Sequence, residues 1–199
     1  QNLLFSATMP HKMRELARKL LTDPVEINIA VSKPPEQIVQ NAFVVYEAQK
    51  APLIKYLLKL KDYTRVIIFC SKKQNVKLLT ADLKRSKFKV EEIHSDLMQD
   101  QREKVMQDFR NKNLTILVAT DILSRGIDID EIELVINYDV PDDVDNYVHR
   151  IGRTGREAKG GYALTFICPE DEADFILIED QYDLRVGEVD HEFCLVDDD

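Results

Sequence analysis

Residues 147–156 have the sequence Tyr-Val-His-Arg-Ile-Gly-Arg-Thr-Gly-Arg, and they decide the fold that we predict for the chain. Arginines occupy positions 150, 153 and 156, and a glycine directly precedes each of the last two. Arginine presents a planar, permanently charged group that suits phosphate oxygens, and glycine has no Cβ to hold a ligand away from the backbone. The stretch therefore predicts a phosphate-binding turn. The spacing alone leaves one alternative open, a solvated basic turn after a helix.

On both sides of this stretch, short apolar segments alternate with amphipathic ones. Strands are predicted at 42–46, 65–70, 90–93, 115–119, 133–138 and 162–167, and helices at 50–61, 73–86, 99–111, 142–151 and 170–182, with a turn and short helix at 121–125. Such alternation is typical of a mainly parallel sheet that is covered by helices on both faces. The sequence therefore predicts an α/β fold.

Polar residues follow the predicted strands at their carboxyl ends. These clusters are Ser71-Lys72-Lys73, His94-Ser95-Asp96, Thr120-Asp121 and Asp139. Ligands of parallel α/β sheets bind at this edge, so we expect the functional site there. The pair His94 and Asp96 has no further metal ligand close in sequence, and we interpret it as a strand end.

The first 30 residues have a pattern of their own. Asn2–Phe5 and Val25–Ile29 are predicted strands, and a helix is predicted from Pro10 onward, so residues 1–30 are expected to form a β-α-β unit. Residues 31–37, with two consecutive prolines, have the character of a linker. We therefore expect a main domain at 38–185 and an acidic tail at 186–199.

The net charge of −9 is distributed unevenly over the 199 residues. The segment 170–199 has a net charge of −12, whereas the remainder has +3. A mildly basic body with clustered arginines is compatible with phosphate binding. The 44% share of hydrophobic residues is enough for a sizeable core.

The sequence shows neither a signal peptide nor an apolar run of about 18 residues, so we expect a cytoplasmic protein. Its cysteines, Cys70, Cys168 and Cys194, are odd in number and far apart. We therefore expect reduced thiols and no zinc site. The four histidines are also too scattered to predict a metal cluster.

Four stretches, in this order and approximate spacing, resemble the second half of a DEAD-box RNA helicase. They are Ser6-Ala7-Thr8, Gln99-Asp100-Gln101-Arg102, Ala119-Thr120-Asp121 together with Arg125-Gly126-Ile127-Asp128, and His149 to Arg156. The match of Ser6-Ala7-Thr8 carries little weight alone. The octet His149 to Arg156, combined with Ala119-Thr120-Asp121 and Arg125-Gly126-Ile127-Asp128, is highly specific. The resemblance extends to about residue 185.

This resemblance implies a RecA-like domain of three layers, α/β/α, at 38–185, and it implies that residues 1–30 are the last part of a first RecA-like domain. The rest of that missing N-terminal domain would hold ATP with Mg²⁺, including the metal ligands and most phosphate ligands. No glycine in the chain begins a Gly-x-x-x-x-Gly-Lys-Ser/Thr pattern. We therefore expect the chain alone to be inactive.

The resemblance also assigns roles to residues of the nucleotide site. Arg153 and Arg156 are expected to be arginine fingers on the γ-phosphate, and Asp128 and Gly126 to lie at the bound nucleotide. Ser6, Thr8, His149 and Arg150 are expected to couple the two domains. For Arg150, a structural role as partner of a local carboxylate stays open, and for Asp128 a turn-capping role stays open.

RNA-binding residues are expected at Gln99, Arg102, Thr120, Ser71 and Lys73. Amides, hydroxyls and charged groups of this kind contact phosphates and 2′-hydroxyls, so the binding should be independent of base sequence. The alternatives are a helix-start residue for Gln99, a surface charge for Arg102 and a solvated side chain for Lys73.

The resemblance implies an ATP-dependent RNA helicase, in which RNA-stimulated ATP hydrolysis drives local duplex unwinding. The alternative is a non-catalytic RNA- or protein-binding module with the same fold. The intact arginines of the octet His149 to Arg156 argue against this alternative. In the isolated chain, residues 1–30 are expected to pack on a second copy, as a dimer or by strand exchange, because no sheet covers them.

Overall fold

The computed structural model describes residues 2–5, 11–27, 37–121, 132–155 and 160–188. The chain forms two compact units, residues 1–32 and residues 33–199.

The first unit contains helix α1 (His11–Leu20). Its described residues 2–5 and 24–27 form no strand, so the predicted β-α-β arrangement is wrong for these residues, and the remainder of the second predicted strand lies outside the described residues. Extended backbone becomes a strand only when a neighbour satisfies its hydrogen bonds. The side chains of Phe5 and Val25 are 87% and 89% exposed. The apolar pattern that predicted strands therefore marks exposed apolar residues in this unit.

The second unit alternates strands and helices along the chain. Its strands are β1 (Ile38–Val44), β2 (Val66–Phe69), β3 (Val90–Ile93), β4 (Ile116–Ala119), β5 (Leu134–Asn137), β6 (Gly161–Ile167) and β7 (Gly187–Glu188). Its helices are α2 (Glu47–Leu60), α3 (Lys73–Arg85), α4 (Gln99–Arg110), α5 (Val144–Ile151) and α6 (Glu172–Tyr182), and a 3₁₀ turn, Pro169–Asp171, precedes α6. The six strands predicted between 42 and 167 and the five helices predicted between 50 and 182 are thus present, with ends shifted by a few residues.

The seven strands form one sheet in the order β3-β4-β2-β5-β6-β1-β7. Every pairing among them is parallel. Strand β2 lies between β4 and β5, so the carboxyl ends of these three strands are neighbours.

Helices cover both faces of the sheet. The four side chains of β2 are fully buried, and they alternate between two cores. Val66 and Ile68 pack toward α2 and α3, whereas Ile67 and Phe69 pack toward α4. Helices α5 and α6 pack on β1 and β6 on the same side as α4. The RecA-like three-layer α/β/α fold is therefore confirmed.

Two strands differ from the prediction. Strand β1 occupies Ile38–Val44 instead of 42–46, because polar Gln40 and Asn41 interrupt its apolar pattern. Gln40 has a buried partner, since the Tyr147 hydroxyl donates a hydrogen bond of 2.9 Å to its Oε1. Strand β7 lies in the predicted acidic tail and pairs with β1 at Asn41. Of the short helix predicted at 121–125, only the first residue is described.

Candidate functional site

The loops that follow β2, β4 and β5 begin at one edge of the sheet. The Cys70 amide donates to the Ala119 carbonyl at 2.9 Å, and the Tyr138 amide donates to the Phe69 carbonyl at 2.8 Å. These bonds hold the three strand ends in register. The polar clusters that follow the strands therefore begin side by side, as the sequence predicts.

Arg150 is the central side chain of this edge. It lies in the last turn of α5 and is 0% exposed. Its Nε and Nη2 donate to the two carboxylate oxygens of Asp121 at 2.6 and 2.8 Å, and its Nη1 donates to the Asp139 carbonyl at 2.8 Å. The guanidinium also stacks over the Phe69 ring, 5.6 Å from its centroid. Arg150 is thus the partner of a local carboxylate, the alternative left open by the sequence, and its role in domain coupling stays a prediction.

The turn after α5 contains Arg153. Its Nε donates to the His149 carbonyl at 3.1 Å, and its side chain is partly exposed. The Thr154 hydroxyl donates to the Ile132 carbonyl, and these two residues also form a parallel bridge. Gly155 has φ +66, a conformation that glycine adopts without strain. The second glycine of the arginine stretch is therefore required by the turn geometry.

Among the described residues, the buried side-chain atoms without a hydrogen-bond partner include Nδ1 of His149 and Oγ1 of Thr120, which lie at this edge. A buried polar atom that lacks a partner costs free energy of about 1–3 kcal/mol. Both residues were predicted to contact a partner outside this domain, His149 the other domain and Thr120 the RNA, and these contacts stay predictions.

A buried lysine lies beside the loop that follows β2. Lys50 of α2 is 1% exposed, and its Nζ lies 2.8 Å from Glu47 Oε2 and 3.3 Å from Asp139 Oδ1. The other Asp139 oxygen accepts the Ser71 amide at 2.8 Å. Burial lowers the pKa of Lys50, but the hydrogen bond with Glu47 and the charge of Asp139 outweigh burial and raise this pKa above that of an ordinary lysine. Lys50 is therefore charged at neutral pH.

Lys73 lies in the first turn of α3 and pairs with Asp96. Its Nζ lies 2.8 Å from Asp96 Oδ1, and the Nζ of Lys77 lies 3.0 Å from Oδ2. The hydrogen bonds from Lys73 and then from Lys77 lower the pKa of Asp96 from 3.8 to about 2. Lys73 is thus an exposed lysine held by a carboxylate, with its charge still open to solvent.

Gln99 and Arg102 lie in the first turn of α4. The Gln99 side chain donates to Glu103 Oε1 at 2.9 Å and is exposed. Arg102 Nη2 donates to the Ser95 carbonyl at 3.2 Å, whereas its Nε is buried without a hydrogen-bond partner. The helix start thus presents an amide and a guanidinium near the β3 loop, and their RNA contacts stay predictions.

Five predicted site residues lie outside the described residues. They are Ser6, Thr8, Gly126, Asp128 and Arg156.

The site contains residues to which the sequence analysis gave no role. The sequence patterns mark Asp121 and Asp139 only as polar residues at strand ends, and they give Lys50 no role. A signal for Lys50 exists, because it lies three and four residues before Leu53 and Ile54, on the buried side of α2. A lysine in an apolar stripe predicts a buried counter-charge.

Among the described residues, no group of three or more His, Cys, Asp or Glu side chains could hold a metal ion. In the same part of the chain, no helix is long and apolar enough to cross a membrane. The expected cytoplasmic location stays a prediction.

Comparison with known proteins identifies the family of this chain. The helicase conserved C-terminal domain family matches residues 49–158, more than half of the chain. The C-terminal domain of the DEAD-box protein Dbp5 superposes with a TM-score of 0.72 at 31% sequence identity, and the match covers 78% of this chain and 91% of that one. The chain belongs to the DEAD-box helicase family. The matched residues of this DEAD-box domain include every described site residue from Ser71 to Arg153.

Longer DEAD-box proteins match as well. The ATP-dependent RNA helicase FAL1 of Kluyveromyces lactis is 35% identical over 188 residues, which are 94% of this chain and 47% of that protein. The S. cerevisiae Dbp5 structure bound to RNA and ADP BeF3 superposes with a TM-score of 0.83 at 29% identity, covering 94% of this chain and 51% of that one. This DEAD-box chain thus spans about half the length of the curated FAL1 relatives that it matches.

Proposed function

We propose that the chain is the arginine-finger half of an ATP-dependent RNA helicase, an enzyme that couples RNA-stimulated ATP hydrolysis to local unwinding of RNA duplexes. One observation carries this proposal: fully buried Arg150 bonds Asp121 of one helicase stretch and lies in the helix that precedes Arg153 of another. Two stretches far apart in sequence are thereby held together at the sheet edge where ligands bind. The ATP dependence of the FAL1 relative supports the same reading.

Arg153 and Arg156 act on the γ-phosphate in this proposal. Phosphoryl transfer is accelerated mainly by positioning and by neutralising charge, and an arginine finger contributes about 10³- to 10⁵-fold in rate. The bond from Arg153 Nε to the His149 carbonyl holds this side chain in the turn after α5. Asp128 and Gly126 would face the ribose side of the same nucleotide. Mg²⁺ and most phosphate ligands would come from the preceding domain.

The RNA surface in this proposal consists of Ser71, Lys73, Gln99, Arg102 and Thr120. All five lie in or beside loops at the carboxyl edge of β2, β3 and β4. Their groups are a hydroxyl, an amide or a cation, so they would bind the RNA backbone independently of base sequence. The RNA in the Dbp5 structure supports RNA as the ligand.

A first RecA-like domain completes the enzyme. Residues 1–30 would belong to that domain, and Ser6 and Thr8 would couple it to His149 and Arg150. The exposure of Phe5 and other apolar side chains in the first unit supports a covering surface. In the isolated chain, a second copy would supply it. ATP and RNA would favour closure of the two domains, and hydrolysis would permit reopening.

The experiment is RNA-stimulated ATP hydrolysis by a protein in which a first RecA-like domain precedes this chain. We expect hydrolysis to rise with RNA and to fall at least about 10³-fold in the Arg153→Ala and Arg156→Ala variants. Arg85→Ala is the matched control, since Arg85 is an exposed arginine of α3 outside the site. A two-domain protein that binds RNA but hydrolyses no ATP would instead favour the non-catalytic binding module.

A further inference from the structure

The burial of Lys50 has no explanation in the helicase stretches. Lysine is among the residues that are least often fully buried, and an ammonium group taken out of water must be compensated by its partners. Lys50 is 1% exposed and has two carboxylate partners, one of which, Glu47, is 59% exposed and therefore needs no buried counter-charge. The partner that requires Lys50 is Asp139, which is 18% exposed.

Asp139 connects two parts of the proposed site, the Ser71–Lys73 loop and the end of α5. Its carboxylate accepts the Ser71 amide at 2.8 Å and so fixes the start of the loop Ser71–Lys73. Its main-chain carbonyl accepts Arg150 Nη1 at 2.8 Å and so fixes the end of α5, just before Arg153. Asp139 thus binds both the loop that is predicted to contact RNA and Arg150, the first arginine of residues 147–156.

We propose that Lys50 and Asp139 are positioning residues for RNA engagement: Lys50 holds the Asp139 carboxylate in place, and this carboxylate fixes the Ser71–Lys73 loop relative to Arg150. The importance for RNA rests on the helicase function proposed above, whereas the fixing of the loop does not. Neither residue touches RNA or nucleotide in this account.

Removal of the ammonium group changes the balance of charge around Asp139. Without Lys50, the Asp139 carboxylate faces Glu47 with no cation between them, and like charges repel. Because Asp139 is already partly exposed, its carboxylate then turns toward water and releases the Ser71 amide. The loop loses its attachment, while the core beneath it keeps its packing.

The variants are Lys50→Met, which keeps the length of the side chain without its charge, and Lys50→Arg, which keeps the charge. Lys55→Met is the matched control, because Lys55 lies on the same helix and forms a half-buried ion pair with Asp82, away from the site. Asp139→Asn is the second route to the same test if Lys50→Met does not fold. Each 199-residue chain is examined for hydrogen exchange of the Ser71 amide and for binding of single-stranded oligouridine RNA at fixed salt.

In Lys50→Met we expect Ser71 exchange to be at least about tenfold faster and RNA affinity about tenfold weaker, a change of about 1.4 kcal/mol. Lys50→Arg and Lys55→Met should stay within about twofold of the unmodified chain. The proposal is overturned if Lys50→Met lowers the melting temperature but leaves Ser71 exchange and RNA affinity equal to those of Lys55→Met. If the unmodified chain binds no RNA, the RNA measurement is made with a first RecA-like domain preceding the chain, and Ser71 exchange alone still decides whether Lys50 fixes the loop. Absence of RNA binding by that two-domain protein would count against the helicase proposal, not against the fixing of the loop.

Discussion

Replacement of Arg150 by alanine tests the buried network on which the site is built. The change removes both bonds to the Asp121 carboxylate, the bond to the Asp139 carbonyl and the contact with the Phe69 ring. The three groups come from the ends of three neighbouring strands. Arg150→Ala should therefore destabilise the whole second unit.

The magnitude follows from the burial of the pair. Removal of one partner of a buried ion pair costs about 3–5 kcal/mol, because the other charge is left without compensation. Asp121 is 35% exposed, so water compensates part of the loss, and we expect about 3 kcal/mol, at the low end of that range. For a domain of this size, the loss lowers the melting temperature by about 6–12 °C.

Tyrosine fluorescence during urea unfolding is a selective assay for this loss. The chain has no tryptophan and has seven tyrosines. All of them lie in the second unit, at positions 46, 56, 63, 138, 147, 162 and 182. The signal therefore reports this unit alone, and a loss of about 3 kcal/mol shifts the urea midpoint by about 1.5 M for a slope of about 2 kcal/mol per M.

Two controls separate this network from a general effect of arginine removal. Arg85→Ala deletes a surface arginine, 79% exposed and 3.3 Å from Asp82, and should cost less than about 1 kcal/mol. Arg150→Lys keeps the charge but not the planar fork, and should recover less than half of the loss. If the free energy of unfolding of Arg150→Ala lies within about 0.5 kcal/mol of that of the unmodified chain, the buried network does not stabilise the second unit.

Three further predictions concern single residues of the second unit. Gly155→Ala should cost about 1–2 kcal/mol in urea unfolding, because the residue has φ +66 and its new Cβ would lie 2.6 Å from Ile38 Cγ1; an unchanged midpoint would contradict the turn geometry. Asp96→Asn should tighten RNA binding about twofold to fivefold at low salt, since Lys73 and Lys77 lose their counter-charge. The gain in affinity should be constant from pH 5 to 8, because the pKa of Asp96 is about 2 and its carboxylate is ionised throughout this range. Weaker binding would exclude the two lysines from the RNA surface. Cys70 and Cys168 should resist alkylation in the folded chain, because burial raises the pKa of both thiols. Peptide mapping after iodoacetamide treatment measures the labelling, and rapid labelling of either cysteine would contradict this prediction.

The alternation of the sequence predicted most of the fold because buried strands such as β2 are continuous apolar runs, which the sequence itself shows. The predicted strand at 90–93 coincides with β3. Prediction failed where an element depends on a distant partner. Strand β7 consists of two residues that are defined only by their pairing with β1, and the described residues beside α1, 2–5 and 21–27, form no strand.

The placement of the candidate site at the strand ends was predicted, whereas its contacts were not. Local patterns identified the arginine stretch and the strand-end clusters, because both are short and specific. Contacts between distant residues were not predictable: Lys50 and Asp139 are 89 positions apart, and the side chain of Arg150 was as compatible with domain coupling as with a local carboxylate. Only the fold decides which carboxylate lies beside which cation.

Strand separation of a short RNA duplex shows whether this chain contributes an arginine finger to an RNA helicase. The protein is this chain preceded by a first RecA-like domain, compared with its Arg153→Ala variant at equal RNA-bound fraction. We expect the unmodified protein to separate the strands only when ATP is present, and the variant to bind the duplex equally well without separating it. Equal separation by the variant, or separation without ATP, would show that Arg153 is not an arginine finger of an ATP-dependent helicase.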